Sequence, residues 1–495
     1  MQLETLLGGL AVRQVIGRHD RAVESIAYDS RRVQRNGMFV ALRGEKTDGH
    51  QFIAQAVEKG ASVIVTGREE SAALAGAATC VIVENTRRAL ADLATIFYGR
   101  PAQRLKIAGV TGTNGKTTTS FLIKHICEKA GLRCGLIGTV RYEIGERVLP
   151  ATRTTPESLD LQELLALIAN AGCRAASMEV SSHALAQERT RGIEWDVAVF
   201  TNLTQDHLDF HGTLENYFEA KAKLFTQLPQ QEKKRKPIAV INIDDRYGEQ
   251  LLGKIDKNIA AVTYGMGVRA EFRASNYRME FGGTSYQLAA RGKSYLVRLP
   301  LIGRFNVANS MAALAAANAL GVNLRDAVTS LAKSPQIPGR LEMVPAKRQF
   351  RVFVDYAHTP DALLNVIKTL RELEPRRLLV VFGCGGNRDR QKRPLMAEVV
   401  ERNADYAIVT SDNPRREDPA AIIADTEKGF RAHHYEKIVD RAEAIARAVE
   451  LAQPRDIVLI AGKGHEAYQE FADRTIPFDD IQVARRAIEN HPVEF

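Results

Sequence analysis

The chain has 495 residues, 45% of them hydrophobic and 26% charged, with 68 Lys and Arg against 59 Asp and Glu for a net charge of +9. That length suggests about three domains, and the ordinary composition with dispersed Gly and Pro excludes a disordered or fibrous chain. Five scattered cysteines with no Cys-x-x-Cys pair argue against a disulfide framework or zinc site and suit a reducing compartment.

From Met1 to about Arg100, strand-like runs such as Gly37–Leu42 and Ala61–Val65 alternate with helical stretches. Met1–Asp20 lacks a basic leader, and no apolar run approaches membrane-spanning length, so the expectation is a cytoplasmic protein without membrane insertion. A break at Tyr98–Ala102 precedes the apolar run Ile107–Val110. Further runs at Cys134–Val140, Ala175–Val180, Val197–Thr201 and Ile238–Ile243, separated by helical patterns such as Ser158–Gly172, predict a parallel sheet covered on both faces. The basic run Lys233–Lys236 has no interleaved aromatics and reads as a solvated loop rather than a nucleic-acid contact.

Between about Val262 and Leu301 strand follows strand, which predicts an antiparallel patch, and Asn306–Leu331 is helix-rich. A second break, Lys333–Gly339, opens a regular alternation. Strands at Arg351–Asp355, Leu378–Phe382, Ala407–Thr410, Lys437–Val439 and Asp456–Ile460 are separated by amphipathic helices, a Rossmann-like layout. The expected domains are 1–100, 101–335 and 336–495.

The run Ile107–Thr119 places Gly112, Thr113, Asn114, Gly115, Lys116, Thr117 and Thr118 between a strand and an amphipathic helix. Backbone N–H groups of such a loop wrap phosphate oxygens, and the helix N-terminus adds its positive end. Lys116 reaches the β- and γ-phosphates and the Thr117 hydroxyl can ligate Mg²⁺. The usual spacing puts a glycine where this chain has Val110; glycines fall at 109 and 112 instead. The plainer reading is a Gly-rich turn before an ordinary helix, but the Gly-Lys-Thr ending favours ATP or GTP.

Glu179 closes the next strand, at the rim where such sheets bind ligands, and can share Mg²⁺ with the phosphates. The segment Thr201–Gly212 reaches the same rim. There His207 lies beside Asp206 and Asp209, which raises a ligand role above a structural one, while His211 reads as structural. Lys221, inside a helical pattern, reads on spacing alone as surface charge.

These residues resemble the Mur ligase family over nearly the whole chain. The matching blocks are Gly-Thr-Asn-Gly-Lys-Thr (112–117), Glu-Val-Ser-Ser-His (179–183), Thr-Asn-Leu-x-x-Asp-His-Leu-Asp (201–209), Ala-Lys-x-x-Leu-Phe (220–225), Gly-Arg-Phe-Asn-x-x-Asn (303–309), Pro-Gly-Arg-Leu-Glu (338–342) and Asp-Tyr-Ala-His-Thr-Pro (355–360). The family's phosphate loop has the same altered spacing. The resemblance implies an α/β protein of three domains: one for a UDP-linked substrate, a central P-loop parallel-sheet ATPase domain, and a C-terminal Rossmann-like domain for the incoming amino acid. It implies a ligase in which ATP phosphorylates a substrate carboxylate and an amine attacks the acyl phosphate. It also implies a carbamylated Lys221, an anionic oxygen ligand for a second Mg²⁺ shared with Glu179 and His207. Asn309 is implied to face adenine, Arg340 the phosphates and Asp355 the ribose.

Tyr28-Asp-Ser-Arg31, including Ser30, resembles the UDP-contacting segment of the branch that adds the third peptide residue. Thr154, Thr155, Ser181, Gln187 and Arg189 match its sugar–peptide contacts, whereas Arg153 stands where the family often has Asn. Asp412-Asn413-Pro414-Arg415 resembles the motif of the diaminopimelate-adding branch. A guanidinium fork suits the second amino-acid head of diaminopimelate, which lysine lacks. Arg388, Gly462 and Glu466 are implied to complete that pocket, with Glu466 accepting from the ammonium. The implied substrates are UDP-N-acetylmuramoyl-dipeptide, meso-diaminopimelate and ATP with Mg²⁺, handled by a monomer without nucleic acid. The alternatives are a lysine-adding or other Mur step, a folate polyglutamate ligase, or a P-loop switch or nucleic-acid-stimulated ATPase.

Overall fold

Val- and Ile-rich runs, too apolar to leave either face in water, form the central strands of layered α/β units. The computed structural model describes residues 1–44, 47–228, 236–432 and 434–491. Two compact units result: Met1–Glu271 with Ala312–Ala327, and Phe272–Met311 with Val328–Phe495.

The first unit begins with a five-stranded sheet in the order Val12–Ile16, Thr79–Val83, Ala61–Thr66, Gly37–Val40, Ile26–Ala27, antiparallel only at its first pair. Helix Thr86–Phe97 starts at Asn85, whose side chain accepts from the N–H groups of Arg87 and Arg88. Its apolar face, with Leu90 and Leu93, shares a core with Leu159 of helix Ser158–Asn170. Beside that core the Tyr28 hydroxyl donates to Asp160 at 2.5 Å.

The second sheet of this unit carries six parallel strands in the order Ala260–Gly265, Ile238–Asn242, Val197–Phe200, Lys106–Thr111, Ala175–Glu179, Cys134–Ile137. The antiparallel hairpin Arg141–Ile144 and Arg147–Pro150 extends it. Lys106–Thr111 lies between strands that come later in the chain on both sides, so the loops after 111, 179 and 200 gather at one rim. Gly109 belongs to packing rather than to the loop. A Cβ there would stand 2.6 Å from the Trp195 ring.

In the second unit, Phe272–Glu280, Gly283–Ala290 and Lys293–Leu299 form an antiparallel meander. The expected start of that patch, Val262, falls inside the strand Ala260–Gly265. Ala260–Gly265 pairs in parallel with Ile238–Asn242, because helix Arg246–Lys254 crosses between them as in any βαβ unit. A six-stranded sheet follows in the order Glu342–Met343, Arg351–Asp355, Ile457–Ala461, Leu378–Cys384, Tyr406–Ser411, Tyr435–Lys437, parallel except at its first pair. The strand expected at Lys437–Val439 lies two residues earlier, although Ile438 N–H still reaches the Val409 carbonyl at 3.0 Å.

All five cysteines are buried and free. Among the described residues no helix is long and apolar enough to cross a membrane. Lys233, Lys234 and Arg235 of the basic run lie outside the described residues, and Lys236 is exposed.

Candidate active site

The loop after Lys106–Thr111 turns through Gly112 at φ +149° and Gly115 at φ +87°. A Cβ on Gly112 would stand 1.9 Å from Thr201 Oγ1, so only glycine lets the loop pass that side chain. Asn202 clamps the loop from the neighbouring strand end. Its Oδ1 accepts from Asn114 N–H at 2.9 Å, its Nδ2 donates to the Asn114 carbonyl at 3.1 Å, and its carbonyl accepts from Thr113 N–H at 2.8 Å. Helix Lys116–Lys129 then begins at Gly115 with Thr117 and Thr118 buried in its first turn.

Two ammonium groups converge on one carbonyl. Lys116 Nζ donates to the oxygens of Gly112 and Thr113 at 2.9 and 2.8 Å, and Lys221 Nζ donates to Gly112 at 2.8 Å. Lys221 is 1% exposed, which corrects the surface reading that its spacing suggests. Helix Leu214–Thr226 packs over the loop, so its 221 position faces inward, with Nζ 4.5 Å from the Tyr217 ring centre. Burial and then the charge of Lys116 pull its amine well below the usual lysine range, against Asp206. Lys116 at the N-terminus of its helix fits the loop to an anionic ligand such as a polyphosphate.

Glu179, 1% exposed, gathers donors at the same rim. Its carboxylate accepts from Thr117 Oγ1 at 3.1 Å, Thr139 N–H at 2.8 Å and Thr139 Oγ1 at 2.9 Å. Because the Thr139 hydroxyl donates to Glu179, Thr154 donates to it in turn across 2.9 Å. Gly138 leaves room for Glu179, since a Cβ there would stand 2.4 Å from Oε1. No group of three or more His, Cys, Asp and Glu side chains could hold a metal among the described residues. The Glu179 carboxylate beside the Thr117 hydroxyl nevertheless offers the oxygen donors that Mg²⁺ prefers.

His207 sits at φ +52° with its ring 4.8 Å from that of His183. Desolvation by its neighbours pushes it down to about 4; Asp206 opposes this, while His183, Lys116 and Lys221 add to it. A neutral imidazole is the form that binds metals. His211 is buried with Nε2 3.0 Å from Ser182 Oγ and is likewise pushed down to about 4, chiefly by burial.

Thr155, Ser181, Gln187 and Arg189 form a connected group. Thr155 Oγ1 donates to the Glu179 carbonyl and accepts from Ser181 N–H, while Arg189 donates to the Thr155 carbonyl at 3.1 Å and to Gln187 Oε1 at 2.5 Å. Ser181 Oγ caps helix Ser182–Ala186. Ser30 lies in the N-terminal sheet region, where its hydroxyl bonds Gln55 at 2.7 Å.

The second unit holds the remaining candidates. Asp355 is buried, with its two oxygens accepting from Leu341 and Ala357 N–H, and burial raises its carboxyl against the pull of Arg340. The Arg340 guanidinium lies 4.6 Å from the Tyr356 ring centre. Asn309 Nδ2 donates to Asn306 Oδ1 at 3.1 Å. Asp412, Asn413 and Gly462 meet where two strands end: a Cβ on Gly462 would stand 2.6 Å from Asp412 Oδ2. Asn413 Nδ2 donates to Glu466 Oε2 at 2.8 Å. Arg415, at φ +53°, pairs with Glu470 at 3.0 Å and donates to the Gly386 carbonyl at 3.0 Å. Gly386 in turn closes onto the Pro414 carbonyl. Arg388 is exposed in the adjoining loop.

Sequence reasoning missed Asn202, Thr139 and Lys463, whose Nζ donates to Asn413 Oδ1 at 3.0 Å. Thr139 had a signal, since it follows a strand that ends at the same rim. The other two act through partners far along the chain.

A Gly-rich loop at the switch point of a parallel sheet, backed by Lys116, the buried Lys221 and a strand-end carboxylate, defines a P-loop α/β protein that handles phosphate groups. Residues 22–98 match the Mur ligase family catalytic domain, 110–317 the Mur ligase middle domain, and 339–464 the Mur ligase glutamate ligase domain. The UDP-N-acetylmuramoyl-L-alanyl-D-glutamate–2,6-diaminopimelate ligase of Geobacillus kaustophilus is 47% identical over 99% of both chains, and that of Geobacillus thermodenitrificans 46% over the same shares. A solved structure of an enzyme with that name is 36% identical, covers 99% of both chains and superposes with a TM-score of 0.71. The chain belongs to the Mur ligase family.

Proposed function

We propose that the chain is an ATP-dependent amide ligase that joins meso-2,6-diaminopimelate to UDP-N-acetylmuramoyl-L-alanyl-D-glutamate, a step of peptidoglycan precursor synthesis. One observation carries the acceptor: the Arg415 guanidinium, held by Glu470 and the Gly386 carbonyl, and the Glu466 carboxylate, held by Asn413, supply opposite charges for the two charges of an amino-acid head. The relatives of that name, 47% identical along the chain, support the same reading.

A carboxylate is a poor electrophile at neutral pH. Transfer of the ATP γ-phosphoryl to the glutamyl carboxylate releases ADP and creates a leaving group. The diaminopimelate amine then attacks the carbonyl carbon, loses a proton, and the tetrahedral adduct expels phosphate to leave the amide. Lys116 neutralises charge on the transferred phosphoryl, and the loop N–H groups hold the β-phosphate. Thr117, Glu179, His207 and a carbamate on Lys221 would hold Mg²⁺, which when bound offsets phosphate charge. The depressed Lys221 amine supports that modification, because the neutral amine adds CO₂ and releases a proton. Asn309, Arg340 and Asp355 are assigned to ATP. Ser30, Thr154, Thr155, Ser181, Gln187 and Arg189 are assigned to the UDP substrate, and Arg388, Asp412–Arg415, Gly462 and Glu466 to diaminopimelate.

Segments 1–100, 101–335 and 336–495 divide these tasks in a cytoplasmic monomer. The acyl-phosphate route is tested with ¹⁸O in the glutamyl carboxylate. Label appears in the released phosphate; phosphate free of label would overturn the route.

A further inference from the structure

Lys463 follows the strand Ile457–Ala461 and is 0% exposed. A buried ammonium must find acceptors. Its Nζ donates to Asn413 Oδ1 at 3.0 Å and lies 3.5 Å from Glu466 Oε2. Asn413 Oδ1 also accepts from Glu470 N–H at 3.0 Å. Neither donor has a lone pair, so the amide can sit only one way round, with its NH₂ facing Glu466 Oε2 at 2.8 Å. Turned over, it would set NH₂ against an ammonium and a backbone N–H, and a carbonyl against a carboxylate.

The same bonds divide the two oxygens of Glu466. Oε2 is taken by Asn413 and Lys463, whereas Oε1 meets the Tyr356 hydroxyl at the longer distance of 3.4 Å. Burial pulls the Lys463 ammonium below its usual range, while Asp412, Glu466 and Asp480 work against that loss and Arg441 adds to it. An apolar side chain would fill the space without a desolvation cost. The charge therefore calls for a reason beyond packing.

We propose that Lys463 is a positioning residue for the acceptor: its ammonium locks the Asn413 amide and holds Glu466 so that Oε1 receives the ammonium of the incoming amino acid. The inference rests on the assignment of Asn413 and Glu466 to diaminopimelate. It is tested by Lys463→Met with each substrate varied in turn. The KM for diaminopimelate rises at least tenfold, while those for ATP and the UDP substrate stay within twofold. Acyl phosphate trapped by hydroxylamine, which needs no amino acid, forms at the parent rate. A merely structural role would shift all three KM values together, and that outcome, or a diaminopimelate KM within twofold of the parent, overturns the proposal. Should Lys463→Met not fold, Lys463→Gln keeps a neutral donor and is read by the same ratio; failure of both to fold also overturns it. A parent enzyme that does not join diaminopimelate would instead refute the assigned function.

Discussion

The pair Arg441–Asp480 gives the most demanding test of how the acceptor region is held. Both side chains are 0% exposed, and the guanidinium donates twice to the carboxylate, at 2.8 and 2.7 Å. It also reaches the carbonyls of Ser411 at 3.4 Å and Ala461 at 3.1 Å, the residues just before Asp412 and Gly462. Arg441→Met leaves the Asp480 charge in a dry core, a loss of about 3–5 kcal/mol. With an m-value of about 3 kcal/mol per molar urea, the midpoint of the second unit falls by roughly 1–1.7 M. The single tryptophan, Trp195, lies in the other unit, so unfolding is followed by far-ultraviolet circular dichroism. The double variant Arg441→Met/Asp480→Leu removes both charges and recovers most of the loss. A midpoint within about 0.3 M of the parent, or a double variant no better than the single (less than about 1 kcal/mol regained), would refute the reasoning.

Lys221→Ala lowers the ligation rate by more than about a hundredfold, as expected when transition-state charge loses its partner, and added formate or acetate restores part of it; absence of any rescue would count against the carbamate. For His211, whose imidazole is pushed down to about 4, the unfolded chain takes up its proton near the ordinary 6.5. The unfolded state therefore binds more protons between those values, and stability falls as pH drops from about 6.5 to 4. Denaturation midpoints of His211→Asn across that range fall less steeply than those of the parent; parallel slopes would contradict the assignment.

The parallel strands and the phosphate loop were legible because local rules fix them. Apolar runs such as Val197–Phe200 have one buried solution, and a turn ending in Gly115-Lys116-Thr117 has few others. Strand direction was not local. Ala260–Gly265 reads like its antiparallel successors, and only the preceding helix decides its pairing. Buried charges were the least legible. Lys221 sits in an ordinary helical pattern, yet it meets a carbonyl 109 residues earlier. Arg441 finds Asp480 39 residues on, and Lys463 finds Asn413 50 residues back. Spacing within one element cannot show which partner the fold brings to its inward face.

The most direct measurement compares ADP release by the intact chain with ATP, Mg²⁺, UDP-N-acetylmuramoyl-L-alanyl-D-glutamate and either meso-diaminopimelate or L-lysine. The second amino-acid head of diaminopimelate offers the Arg415 guanidinium a carboxylate that lysine lacks, so kcat/KM for diaminopimelate exceeds that for lysine by at least about tenfold, with the UDP-tripeptide as product. Equal use of the two amino acids would contradict the acceptor assignment, and ADP release independent of either would contradict the ligase itself.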